Sequence, residues 1–128
     1  MEKRVTGIGG IFFKSKDPKA TKDWYNKHLG LNTDQWGSTF WWKDKEGNDC
    51  STQWSPMDEK SGHFKPSEKQ FMINYRVENL EELLKLLKEE GVEVLDEIQV
   101  AEEGKFGWIM DSDGNKIELW EPNDKAFL

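Results

Sequence analysis

The chain has 128 residues, a formal net charge of −7 and a pI near 4.9, which fits one compact domain or two half-domains. Seven Trp and seven Phe argue against a disordered chain, and the acidic balance argues against nucleic acid and anionic membranes as partners. A single cysteine, Cys50, excludes an internal disulfide framework and reads as a small packed residue.

The first apolar stretch, "TGIGGIFFKSKDP", reads as a strand running into a charged turn. Asp17 can cap a helix there, Pro18 suits its first position and Gly30 the position after its end. Ala20, Trp24, Tyr25 and Leu29 give that helix an apolar face. "STFWWKDKEGNDCSTQWSP" then reads as two strands joined by a turn at "DKEGN". The polar stretch "MDEKSGHFKPSEK", residues 57–69, is a link long enough to lie over a binding face. "KQFMINYRVEN" is again extended, and Asn79 takes the capping place that Asp17 held. Leu80, Leu83, Leu84 and Leu87 mark one face of a second helix that stops at Gly91. "VEVLDEIQVAEEG" gives a short strand and a connection, and "KFGWIMDSDGNKIELWEP" a strand, a turn and a strand. The charges of "EELLKLLKEE" are a solvated helix face with Glu–Lys pairs. "DSDGN" lacks the length and the distal glutamate of a calcium loop.

The two halves repeat each other at an offset of about sixty residues. "KDKEGN" matches "MDSDGN", and "WSP" at Trp54 matches "WEP" at Trp120. Each half reads as βαβββ. Neither half is large enough to bury a core alone, so one α+β domain is expected over residues 1–128. Its first module spans about 6–56, its link 57–69 and its second module about 70–122.

Paired βαβββ modules, the opening "DP…WYNKHLGL" and the closing "DxDGNxxELWEP" resemble the vicinal oxygen chelate superfamily. That group holds glyoxalases, bleomycin resistance proteins and extradiol dioxygenases. The closest likeness is to its glyoxalase-like subgroup. The resemblance implies two tandem modules whose eight strands form a cupped mixed sheet around a cleft. It also implies a four-position site for a divalent metal inside the cleft, on the first and last strands of each module. Matched position by position, those places fall on Gly10, Met72, Glu118, and Thr52 or Ser51. Gln53 enters only if its strand carries a bulge. Glycine offers no ligand and a thioether suits hard cations poorly, so Glu118 is the one good metal ligand among them. His28 at a helix end and His63 in the link read as surface residues.

Alternation along each strand then assigns the cleft. Gly10 brings Ile8, Phe12 and Lys14 inward and leaves Ile11 and Phe13 under helices. Met72 brings Asn74 and Arg76. Glu118 brings Lys116 and Trp120. Phe106, Trp108 and Met110 are preferred over Gly107 and Ile109, and Trp42 and Trp54 join from the first module. The candidate ligand-binding set is thus Gly10, Phe12, Trp54, Met72, Asn74, Arg76, Phe106, Trp108 and Glu118. Within it, Arg76 is expected to pair with Glu118, since a buried charge needs a partner.

An aromatic cleft with few polar groups suits a small aromatic or cationic molecule. The expectation is a metal-independent binding protein with no resident cofactor. A metal-dependent lyase, isomerase or dioxygenase is the alternative, and a dimerising interaction module a third reading. Homodimers are common in the group, so a homodimer is expected. The opening "MEKRVTGIGG" lacks a signal-peptide core and no apolar run approaches a membrane span, which points to a cytoplasmic setting.

Overall fold

The computed structural model describes residues 3–128. Strand β1 is Val5–Ser15 and helix α1 is Pro18–Leu29. Asp17 caps α1 by accepting the Ala20 N–H at 3.1 Å, and Gly30 ends it in the left-handed region at φ 69°. Strands β2 (Ser38–Lys43) and β3 (Asp49–Asp58) follow, then the link and β4 (Phe71–Val77). Asn79 caps helix α2 (Leu80–Glu89) by accepting the Glu82 N–H at 3.2 Å. Strands β5 (Val94–Ala101), β6 (Gly104–Met110) and β7 (Lys116–Pro122) complete the second half.

The repeat is visible in atomic detail at the two hairpin turns. Asp44 Oδ1 accepts the N–H groups of Glu46 and Asn48, and its Oδ2 accepts the Asn48 amide. Asp111 does the same with Asp113 and Asn115. These bonds, led by those from Asn48 and Asn115, hold both carboxyls below the usual Asp value.

All seven strands lie in one sheet, in the order β2-β3-β1-β4-β7-β6-β5. β1 and β4 pair antiparallel at its centre, and β3 and β7 flank them in parallel. The halves are therefore related about the β1–β4 seam. β5 has no counterpart, so the described residues give seven strands where eight were expected. The gap falls between α1 and β2. There Asp34 folds the chain into a turn, accepting the N–H groups of Trp36 and Gly37 on one oxygen. Lys22 ties the same turn to α1 through the carbonyls of Asp34 and Gln35.

Two clusters sit on opposite faces of the sheet. On the helix side Leu80, Leu83 and Leu84 pack against Val77, Ile109 and Leu119. Gly107 makes room for this, because a Cβ there would lie 2.9 Å from Leu84 Cδ1. α1 is far less engaged. None of its residues is buried, and of the expected face Trp24 and Leu29 are exposed. Tyr25 is the one that reaches the sheet aromatics, at 4.7 Å from the Trp54 ring.

The second cluster lies on the concave face. Phe64, from a 3₁₀ turn in the link (Gly62–Phe64), is 1% exposed and packs with Met72 and Trp108. The link thus folds over the cleft and fills one end of it, where Phe12 and Met57 also pack. Lys116 holds it there by donating to the His63 carbonyl at 2.6 Å, and burial lowers the Lys116 pKa.

Candidate functional site

A cavity of about 320 Å³ remains at the other end of the cleft. Its floor is Gly9, Gln53 and Asn74, and Phe12 and Met57 form one side. The opposite side is Phe106, Trp120 and Phe127. Phe106 and Trp120 lie stacked with centroids 6.0 Å apart, and Phe127 meets Trp120 edge-on at 5.9 Å. Trp36, 75% exposed, stands at the mouth with Asp34, and Glu103 also borders the hollow.

The floor exists because β1 breaks its alternation. Its pairing with β4 shifts register between Ile8 and Gly10, a bulge that turns Gly9 inward. A Cβ on Gly9 would sit 2.2 Å from Asn74 Oδ1 and 2.8 Å from Trp120. Gly10 faces the same side, where a Cβ would sit 2.8 Å from the Phe12 ring and 3.3 Å from Asn74 Cβ, so both glycines let neighbouring side chains close over β1. Ile8, expected inside, is 40% exposed beside Tyr75. β3 carries no such bulge against β1, yet Gln53 lines the cavity, because Gln53 pairs directly with Gly10. Thr52, the alternative from the same strand, is used up: its hydroxyl donates to the Ile8 carbonyl at 2.6 Å and accepts from Trp42.

Glu118 is 4% exposed and points into the cleft side of the sheet, where both oxygens are engaged. Asn74 donates to Oε2 at 2.7 Å and the Trp108 indole to Oε1 at 3.1 Å. Strand register places these three side by side, since Asn74 pairs with Glu118 and Glu118 with Trp108. His63 Nε2 lies 3.6 Å from Oε1, brought there by the folded link.

Arg76 does not pair with Glu118. It lies two residues further along β4, opposite Trp120, roughly 6–7 Å down the strand. Its guanidinium instead grips Asp124 with two bonds, at 2.9 and 2.6 Å, and donates to the Ser51 carbonyl. The rings of Trp42 and Trp120 stand over it at 5.5 and 5.2 Å. Asp124 also accepts the Ser51 N–H and hydroxyl, so it collects four donors. Burial pushes the Asp124 carboxyl up, but the bonds and charge of Arg76 and Ser51 outweigh it and leave it below the usual range. This pair pins the closing 3₁₀ turn, Asp124–Phe127, against the cleft.

The remaining assigned residues divide by place. Phe12, Asn74 and Phe106 line the cavity. Trp54 borders it, but its ring packs toward α1 against Tyr25 and Phe13. Met72 and Trp108 belong to the cluster closed by Phe64. Trp36, Phe127 and Asp124 were not foreseen. The buried guanidinium of Arg76 was the available signal for Asp124, since it requires a carboxylate and "NDKAFL" supplies one after the last strand.

These four ligand positions do not suit a divalent cation. Gly10 has no donor atom, and Met72 is buried among apolar side chains. Ser51 is committed to Asp124, and Thr52 to Ile8 and Trp42. Glu118 is surrounded by N–H donors, a setting built for an anion rather than for sharing with a cation. Among the described residues no three His, Cys, Asp or Glu side chains converge.

The family model for the glyoxalase/bleomycin resistance protein/dioxygenase superfamily matches residues 7–119. The chain belongs to this superfamily. Solved structures of similar fold extend the comparison. A methylmalonyl-CoA epimerase from Mycobacterium tuberculosis is 20% identical with a TM-score of 0.61, covering 99% of this chain and 95% of that one. A methylmalonyl-CoA epimerase from Streptomyces coelicolor in complex with 2-nitronate-propionyl-CoA is 20% identical with a TM-score of 0.65, covering 92% and 98%. A structure described as an NAD-dependent benzaldehyde dehydrogenase from Legionella pneumophila is 12% identical with a TM-score of 0.57, covering 89% and 98%. At these identities the likeness is one of fold. No curated protein matches the chain. Among the described residues of this superfamily member, no helix is long and apolar enough to cross a membrane.

Proposed function

We propose that this chain is a binding protein for a small, flat, largely apolar molecule, and that it works without a metal. One observation carries the reading. The cleft keeps a hollow of about 320 Å³ between aromatic side chains, although its other end is filled by Phe64. That volume is in the range of small-molecule sites, and a mostly apolar lining with a few polar groups is their usual composition. The acids that border it, Asp34 and Glu103, make it inhospitable to anions. Glu118 lies behind Asn74 with both oxygens bonded, so no free base faces the hollow at its floor.

Titration with naphthalene-type compounds tests this, read by calorimetry and by tryptophan fluorescence. Saturable binding that quenches fluorescence, and that is lost in Trp120→Ala, is expected. Absence of saturable binding across one- and two-ring aromatics sinks the reading.

A metal-dependent lyase or isomerase is the second reading, favoured by the fold and by the approach of His63 to Glu118 at 3.6 Å. It requires one divalent ion per chain, bound through Glu118.

A further inference from the structure

The charged side chains that line the cavity are both acids. Asp34 and Glu103 border it, one from each half of the chain, and among the described residues no lysine, arginine or histidine does. Neither acid forms an ion pair among the described residues. Lys22 reaches the Asp34 turn, but its ammonium is bound to the backbone carbonyls of Asp34 and Gln35. A group at the mouth therefore meets uncompensated negative charge, on a chain whose net charge is −7. Trp36 stands beside these acids with its ring largely in solvent, and its backbone is fixed. Asp34 accepts the Trp36 N–H at 2.8 Å, Ser55 donates to the Trp36 carbonyl, and the Asp34 N–H donates to Gly37 at 2.9 Å. Glu103 is fixed too, since its carbonyl accepts the Trp120 indole at 2.9 Å and the Asn123 N–H at 2.8 Å.

The rim thus joins an aromatic face to two carboxylates, and both features attract cations. We propose that the ligand is an aromatic ammonium ion. Its ring system enters between Phe12 and the stacked Phe106 and Trp120, and its charged head stays at the mouth against Trp36, Asp34 and Glu103. The inference deepens the binding reading above and rests on it. A neutral alcohol on the same ring system gains the apolar contacts alone. A carboxylate in the place of the ammonium is repelled by both acids. A small inorganic cation makes no use of the rings inside. The head remains near water, where ion pairs and cation–π contacts are each weak, so the preference for the cation is modest and falls with salt.

Calorimetry at low salt with naphthylmethylammonium, naphthalenemethanol and naphthoate tests the proposal. The ammonium should bind at least about threefold more tightly than the alcohol and at least about tenfold more tightly than the acid. Its advantage over the alcohol should shrink as salt is raised to about 0.5 M. The double variant Asp34→Asn/Glu103→Gln removes both charges and keeps an acceptor for the N–H groups of Trp36 and Gly37. It should reduce the ammonium-to-alcohol ratio to below about twofold. Glu89→Gln/Glu97→Gln makes the same change in net charge at residues that do not line the cavity, and should keep the parent ratio. Melting curves of both double variants confirm folding. An ammonium that binds no better than the alcohol, or that keeps its advantage in Asp34→Asn/Glu103→Gln, overturns this inference and leaves the cleft reading standing. If none of the three compounds binds, both readings fall.

Discussion

Asn74 and Glu118 stand on neighbouring parallel strands, and the 2.7 Å bond between them fixes which end of the asparagine lies against Gly9. Glu118 also receives the Trp108 indole, so its two oxygens serve two donors. Glu118→Gln leaves one acceptor for both. One buried donor then loses its partner, at about 1–3 kcal/mol of stability. Urea unfolding should show that loss with an unchanged slope. A variant as stable as the parent would mean that these donors have other partners.

Asp124 holds the end of the chain to Arg76, and its carboxyl titrates below the usual Asp value. A depressed acid contributes stability above its unfolded pKa of about 3.9, and the contribution disappears as the pH falls through the folded value. Asp124→Asn should therefore cost about 3 kcal/mol near neutral pH, where Arg76 is left buried beside a neutral amide. The gap between parent and variant should close below about pH 4. Melting curves from neutral to strongly acidic pH check it, and a gap that stays constant to the acid end contradicts the assignment.

Phe64 is a link residue with core burial, so Phe64→Ala should cost about 3–5 kcal/mol, as for a large aromatic removed from a packed interior. The same change should open the second end of the cleft to small apolar molecules. Benzene or indole should then raise the melting temperature of the variant and not that of the parent. Unaltered stability would show that the link does not close the cleft in solution.

Gly9→Ala places a methyl carbon where Asn74 Oδ1 and Trp120 already lie. Neither neighbour can retreat cheaply, since one is tied to Glu118 and the other to the Glu103 carbonyl. The variant should be destabilised by about 1–3 kcal/mol and lose aromatic binding at least tenfold. Gly30→Ala, where a Cβ would meet nothing, separates strain at a helix cap from this steric effect. Tight ligand binding by Gly9→Ala would place the ligand elsewhere.

Divalent metals should leave the protein unmoved. Prolonged dialysis against a chelator, followed by zinc, nickel, cobalt or manganese, should shift the melting temperature by less than about 1 °C. Metal analysis of protein purified without chelator should find well under one ion per chain. A stoichiometric ion that is lost in Glu118→Ala would establish the metal-dependent reading instead.

Much of this was legible in the residues. The paired turns at Asp44 and Asp111, the caps at Asp17 and Asn79 and the leucine face of α2 are local patterns, and local patterns determined the architecture. The inward turn of Phe106 and Trp108 also followed from simple alternation. The site was harder to read for one physical reason. Alternation propagates along a strand only while pairing is regular, and the irregularity in β1 after Ile8 added Gly9 to the cleft face beside Gly10 and turned Ile8 away from it. Arg76 was matched to the wrong acid because register, invisible in one strand alone, sets Asn74 beside Glu118. Asp124 and Phe127 lie beyond the repeat, where no internal comparison reaches. Asp34 replaced an expected strand by a turn whose outcome, an exposed Trp36 at the cavity mouth, depends on tertiary position.

The cleft spans the β1–β4 seam, and the chain supplies the occupant of one end of it itself. Phe64 is tethered within reach of its seat, so it acts at an effective concentration on the order of millimolar or above. Free aromatic molecules at ordinary cellular levels do not outcompete such a neighbour. The link thereby plugs one end of the cleft with the chain's own aromatic ring, seated against Met72 and Trp108.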